Sequence, residues 1–169
     1  MAEEIEKGID MITENILNAL NIQMNRELLN SLIYKTFSGI ADIYCLNGTS
    51  KWFEIQSKEE MEHFNKFFNY ICKQGNIPQI TTIPDICNET LSFADLFVKS
   101  IELEENTTHN LKLVSELCKE ENDDQTFELI LWFLKEQVEE EDMVRTIHER
   151  ILMSLNDPLR VDSELGERK

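Results

Sequence analysis

The residues best placed by type and spacing to do chemistry are Glu59-Glu60-Met61-Glu62-His63. Glu60 and His63 lie three positions apart. On a helix that turns roughly 100° per residue they project from one side, close enough to hold a single metal ion. The pattern alone is weak. It gains weight because Phe53, Gln56, Phe67 and Ile71 fall on the same helical stripe, which is predicted to face the interior. A carboxylate and an imidazole are thereby expected inside a core.

Long helices must position such a pair, and the sequence supplies them. Only five glycines and three prolines interrupt the chain, and no strand-rich block survives. After an extension over 1–12, a first helix is predicted from Thr13, its N-cap, to Leu46, followed by a loop Asn47-Gly48-Thr49-Ser50. A second helix from about Ser50 ends near Gly75–Asn76, and a crossover over about 76–91 follows. Ser92 and Asp95 read as a capping box that opens a third helix reaching Glu121. Asp123 or Asp124 caps a fourth, which runs to about Leu155, and a short fifth helix spans about 158–166. The prediction is all-α: one domain over 13–169, a four-helix bundle of two antiparallel hairpins with one long crossover and a short terminal helix.

The helical stripes define the interior. Ile16, Leu20, Met24, Tyr34 and Phe37 line up on the first helix, and Glu27 falls among them. The third aligns Phe93, Phe97, Ile101, Thr108 and Leu111 with Glu104, and the fourth aligns Ile130, Phe133, Val144, Ile147 and Ile151 with Gln137 and Glu140. Every long helix thus carries a polar break near its middle. An uncompensated cluster of Glu27, Glu60, Glu104 and Glu140 would consume a typical domain's stability, so something positive must sit there. No Lys or Arg lies close by on these stripes. Protonated carboxyls are one answer and a metal pair is the better one. Carboxylates with a single imidazole favour a hard or borderline ion such as iron or manganese.

Composition narrows the partners. A net charge of -17 argues against nucleic acid and anionic membranes, and suits either a cation handler or a plain solvated acidic surface. Cys45, Cys72, Cys87 and Cys118 form no Cys-x-x-Cys pair and read as reduced core thiols of a cytoplasmic protein. The N-terminus carries no basic region, and no apolar run approaches the length of a membrane span, so neither secretion nor membrane insertion is expected.

These residues resemble the ferritin family, specifically its bacterial-type non-haem members. The likeness runs from about Asn15 to the C-terminus and rests on Asn25-Arg26-Glu27, Glu59 to His63, Glu104, and Trp132 to Glu141. It implies a ferroxidase centre in which Glu27, Glu60 and His63 hold one iron and Glu60, Glu104 and either Gln137 or Glu140 hold a second, with Glu60 bridging. It implies a third iron near Glu59, Glu136, Glu139 and Glu140. Tyr34 would be an electron donor or hydrogen-bond partner beside the centre, although a core tyrosine with a satisfied hydroxyl explains it equally well. Fe(II) and dioxygen would be the substrates, and about 24 copies would enclose a ferric mineral.

Departures from the family pattern carry expectations of their own. Phe127 and Ile130 stand where animal ferritins place acids along a three-fold channel, which puts iron entry by that route in doubt. The fifth helix offers only Leu159, Val161 and Leu165 as apolar contacts, and His109 and His148 point away from the centre. Met61 follows the bridging glutamate as a haem-binding methionine does in bacterioferritins. Gln137-x-x-Glu140 replaces the Glu-x-x-His of that subfamily, so the protein is expected to lack haem. Two rival readings are a catalytically silent cage subunit and a rubrerythrin-like peroxidase. Intact Glu27, Glu60, His63 and Glu104 disfavour the first, and the missing second Glu-x-x-His disfavours the other.

Overall fold

A computed structural model describes residues 12–86, 90–154 and 157–168. Residues 1–11 of the expected extension, Cys87 and the expected fourth-helix end at Leu155 lie outside them. The elements are α1 (Glu14–Ile43), α2 (Asn47–Lys73), α3 (Phe93–Glu121), α4 (Asp124–Met153) and α5 (Pro158–Leu165), with no strand among the described residues.

Most boundaries follow from local chemistry. The Thr13 hydroxyl accepts from the Ile16 N–H at 3.3 Å and caps α1. Ser92 and Asp95 satisfy each other's backbone N–H groups at 2.8 and 3.3 Å, and Asp123 accepts from the Thr126 N–H at 2.9 Å. Such caps each contribute on the order of 1 kcal/mol. At the end of α2, Gly75 takes φ +77, which lets its own N–H and that of Asn76 return to the carbonyls of Cys72 and Ile71 at 3.0 and 3.1 Å.

The first turn departs from expectation. Helix α1 stops at Ile43 rather than Leu46, because Cys45 sits in the left-handed region at φ 58. The chain is already helical at Asn47, where a loop to Ser50 was expected. The reason is tertiary. Asp162 of α5 accepts from the Thr49 N–H at 2.6 Å and the Thr49 hydroxyl at 2.7 Å, doing for α2 what its own N-cap, Leu46, cannot. Gly48 permits the approach, since a Cβ there would lie 1.8 Å from the Asp162 carbonyl oxygen.

Short turns make α1 with α2 and α3 with α4 antiparallel hairpins, and α5 folds back against α2. The connection over 74–92 joins the hairpins. A helix of 30 residues is about 45 Å long, a distance an extended connection of this size can span. Asn21 and Asn25 of α1 pin the connection: Asn21 Oδ1 accepts from the Gln79 N–H, and Asn25 bonds the Gln79 carbonyl and the Thr81 N–H, at 2.7 to 2.8 Å.

The interior is two apolar clusters. One end packs Phe37, Trp52, Phe53, Phe97, Val144 and Ile151 with Val161 and Leu165 of α5, and Leu159 remains exposed. The other packs Ile16, Leu20, Met24, Phe67, Ile71, Leu111, Ile130 and Phe133. Between them lies a buried polar layer that contains Glu27, Asn30, Glu60, His63, Glu104, Thr107 and Gln137. The cysteine reading needs correction: Cys118 is buried, but Cys45 at the turn and Cys72 on the outward side of the last turn of α2 are exposed, all three as free thiols.

Candidate metal centre

Each long helix delivers one acid to the polar layer. Glu27 comes from α1, Glu60 with His63 from α2, Glu104 from α3 and Glu140 from α4, because each interrupts the apolar stripe of its helix midway. Two clusters result. Ligand atoms of Glu27, Glu60 and His63 lie within 4.8 Å of one another, as do those of Glu60, Glu104 and Glu140. Glu60 belongs to both, so the two positions are adjacent and share a carboxylate. His63 places Nδ1 4.0 Å from Glu60 and Nε2 3.9 Å from Glu140, while its ring meets Trp132 and Phe133 edge-on at centroid distances of 6.0 and 5.4 Å.

The hydrogen bonds orient the acids without satisfying them. Gln23 donates to Glu27 at 2.6 Å, Gln137 donates to Glu104 Oε2 at 2.9 Å, and the Tyr34 hydroxyl donates to Glu104 Oε1. One buried oxygen each of Glu27, Glu60 and Glu140 has no hydrogen-bond partner among the described residues. A buried acceptor left unpaired costs about 1–3 kcal/mol, and native interiors rarely tolerate several in one place. No Lys or Arg forms an ion pair with Glu27, Glu60, Glu104 or Glu140 among the described residues.

The electrostatics agree with that deficit. Burial pushes the Glu27 carboxyl up to about 7 and Glu140 up to about 9. Burial also raises Glu60, which the charges of Glu104, Glu27 and Glu140 raise further. Glu104 is raised by burial despite its bonds from Tyr34 and Gln137. His63 is lowered to about 4 by burial and then by Lys66, which leaves a neutral imidazole free to ligate at neutral pH. Two divalent cations would balance the four carboxylates and supply partners for the orphaned oxygens, so the donor set fits a pair of hard or borderline ions.

The residues expected at a third iron are not gathered in the same way. Glu140 is in the second cluster, but Glu59 turns to Arg168, Glu136 is half-buried, and Glu139 is exposed in a groove between α4 and α5. His109 is exposed, His148 is half-buried, and neither joins a cluster among the described residues. Ile130 is fully buried in the second apolar cluster. Met61 packs partly buried against the second apolar cluster. Two contributors escape a reading based on acids and histidines. Gln23 stands one turn before Glu27 on the same stripe and could have been found there. Arg168, at the chain's end, carries no periodic signal at all.

A long-helix bundle with one crossover and a carboxylate–histidine pair of sites across its middle defines the di-metal carboxylate class. The model of the ferritin-like domain family matches residues 17–153. The chain belongs to the ferritin family. It is 32% identical over 162 residues to the bacterial non-heme ferritin of Staphylococcus aureus, with 94% of this chain and 97% of that protein covered. The bacterial non-heme ferritin of Escherichia coli is 28% identical over 144 residues, with 85% and 87% covered. An open pore ferritin from the hyperthermophilic archaeon Archaeoglobus fulgidus superimposes with a TM-score of 0.91 at 29% identity, covering 94% of this chain and 99% of that one.

Proposed function

We propose that the protein is an iron-storage ferritin subunit with ferroxidase activity: it binds two Fe(II) ions side by side, oxidises them with dioxygen, and passes Fe(III) on for deposition as a hydrated ferric oxide inside a hollow assembly. The observation that carries this reading is the pair of clusters sharing Glu60, each with a buried carboxylate oxygen that lacks a partner. Glu27, Glu60 and His63 hold the first ion; Glu60, Glu104 and Glu140 hold the second. Gln137 positions Glu104 through its amide. Each ferrous ion gives up one electron, and dioxygen takes two electrons and two protons to leave as hydrogen peroxide. Oxygen-rich anionic ligands favour Fe(III) over Fe(II), which drives the step. Cation binding expels the protons that burial keeps on the acids. Tyr34 holds that ligand through the hydrogen bond it donates to Glu104 and stands as an electron donor beside the centre.

Assembly makes storage possible. The solved ferritin from Archaeoglobus fulgidus is described as open pore, and the acidic exterior of this chain surrounds exposed apolar residues such as Ile22, Ile77 and Ile80. A closed-symmetry particle of about 24 copies is expected. Light scattering combined with an aerobic Fe(II) oxidation assay tests both halves of the proposal. A hollow particle that oxidises and retains iron far beyond two ions per subunit is the predicted result. Monomers or dimers at physiological salt would remove the storage claim, and an assembled but inactive particle would indicate a silent cage subunit.

A further inference from the structure

Gln23 is a buried amide with a single hydrogen bond, and that bond goes to a metal ligand. It is 1% exposed and stands one turn before Glu27, itself fully buried, on the same face of α1. The turn before it carries Ala19 and Leu20, which pack into the second apolar cluster, so no water reaches the amide from that side. Gln23 Nε2 donates to Glu27 Oε1 at 2.6 Å. Among the described residues, Gln23 Oε1 and Glu27 Oε2 are both buried without a hydrogen-bond partner. The two side chains share one bond, and each keeps one oxygen unmet.

That arrangement gives the two oxygens of Glu27 different tasks. A carboxylate can grip a cation with one oxygen or with both. Gln23 occupies Oε1, which leaves Oε2 for the ion that Glu27, Glu60 and His63 gather round. To turn both oxygens to that ion, Glu27 would have to abandon Gln23, whose amide has no other hydrogen bond among the described residues to fall back on. A lysine or arginine at this place would hold the acid by cancelling its charge, whereas a neutral amide holds it and leaves the charge for the metal. We propose that Gln23 is a positioning residue that confines Glu27 to single-oxygen ligation of the first ion and so keeps a coordination position open there for dioxygen. This rests on the reading of Glu27, Glu60 and His63 as the ligands of that ion. An ion whose protein ligands fill every position admits no substrate, which is why catalytic metal sites keep one open.

The test uses Mn(II), which takes oxygen ligands readily, on the assembled full-length protein: crystal structures after an anaerobic soak, and anaerobic calorimetry of the metal-free particle. The dioxygen dependence of Fe(II) oxidation is measured alongside. Gln23→Met keeps the length of the side chain and removes the amide, and Gln23→Leu serves as a second variant should methionine disturb the core. Circular dichroism and particle size verify that each variant folds and assembles. Wild type should show Mn(II) on Glu27 Oε2 alone, with Oε1 still on Gln23. Both variants should show Mn(II) on both oxygens, bind the first ion about tenfold more tightly, and raise the KM for dioxygen about tenfold. A wild-type Glu27 that already gives both oxygens to the metal, or variants that keep single-oxygen ligation and the wild-type KM, would overturn the role of Gln23 alone. Mn(II) bound away from Glu27 in wild type would overturn the placement of the first ion and the role of Gln23 with it.

Discussion

Replacing Glu60 with alanine should lower the initial rate of Fe(II) oxidation by at least about 100-fold and leave the particle folded and assembled. Glu60 is the carboxylate common to both clusters, so its loss removes a ligand from each ion at once and with it the paired two-electron step. His63→Ala should come close to the same loss, because it strips the first position of its imidazole. Gln137→Ala should be milder, since the amide orients Glu104 from 2.9 Å away and its loss slows filling of the second position only. Stability should hold in all three. Each change deletes a buried polar group whose desolvation costs the metal-free fold, and the two apolar clusters on either side are untouched. Stopped-flow traces at two Fe(II) per subunit supply the check. A wild-type rate in Glu60→Ala would mean that the chemistry occurs elsewhere.

Metal-free protein should lose thermal stability as pH rises from about 6.5 to 9. The sign follows from proton counting. In the unfolded chain the glutamates ionise near 4.5, whereas in the fold Glu27 holds its proton to about 7 and Glu140 to about 9, with Glu60 and Glu104 shifted the same way, all chiefly by burial. The folded state therefore binds more protons across this window, and its stability falls as they leave. His63 acts oppositely, being lowered from 6.5 to about 4, but its contribution is complete by pH 6.5. One extra bound proton corresponds to about 1.4 kcal/mol per pH unit, which for a domain of this size is roughly 3–6 °C. Glu140→Gln should flatten the slope, and saturating Zn(II) should reverse it, since the cation takes the place of the protons. Melting curves of chelator-treated protein at stepped pH provide the measurement. A wild-type slope unchanged by Glu140→Gln would mean that these carboxyls are not the groups responsible.

Much of the centre is legible because helical periodicity converts sequence spacing into direction. Glu27, Glu60, Glu104 and Glu140 each break an otherwise apolar stripe, and four such breaks at matching heights can meet only in the bundle interior. Caps are legible where the capping group is local, as at Thr13, Ser92 with Asp95, and Asp123. They are not where it is distant. Asn47-Gly48-Thr49-Ser50 has the composition of a loop and becomes helix because Asp162, 113 residues away from Thr49, satisfies its N–H. Arg168 is hidden for the same reason: its partners Gln56 and Glu59 lie 112 and 109 residues upstream. Glu59 then illustrates the consequence. Its place beside Glu60 suggests a metal ligand, and the tertiary structure pairs it with a guanidinium that no local pattern announces.

The central claim is a pair of cations sharing Glu60, and anomalous X-ray diffraction from crystals soaked anaerobically with Fe(II) tests it most directly. Two peaks per subunit are predicted within the polar layer, about 3.5–4 Å apart, with the Glu60 carboxylate between them, His63 on one and Glu104 with Glu140 on the other. A single peak, or density confined to surface acids with Glu27, Glu60 and Glu104 bare, would contradict it.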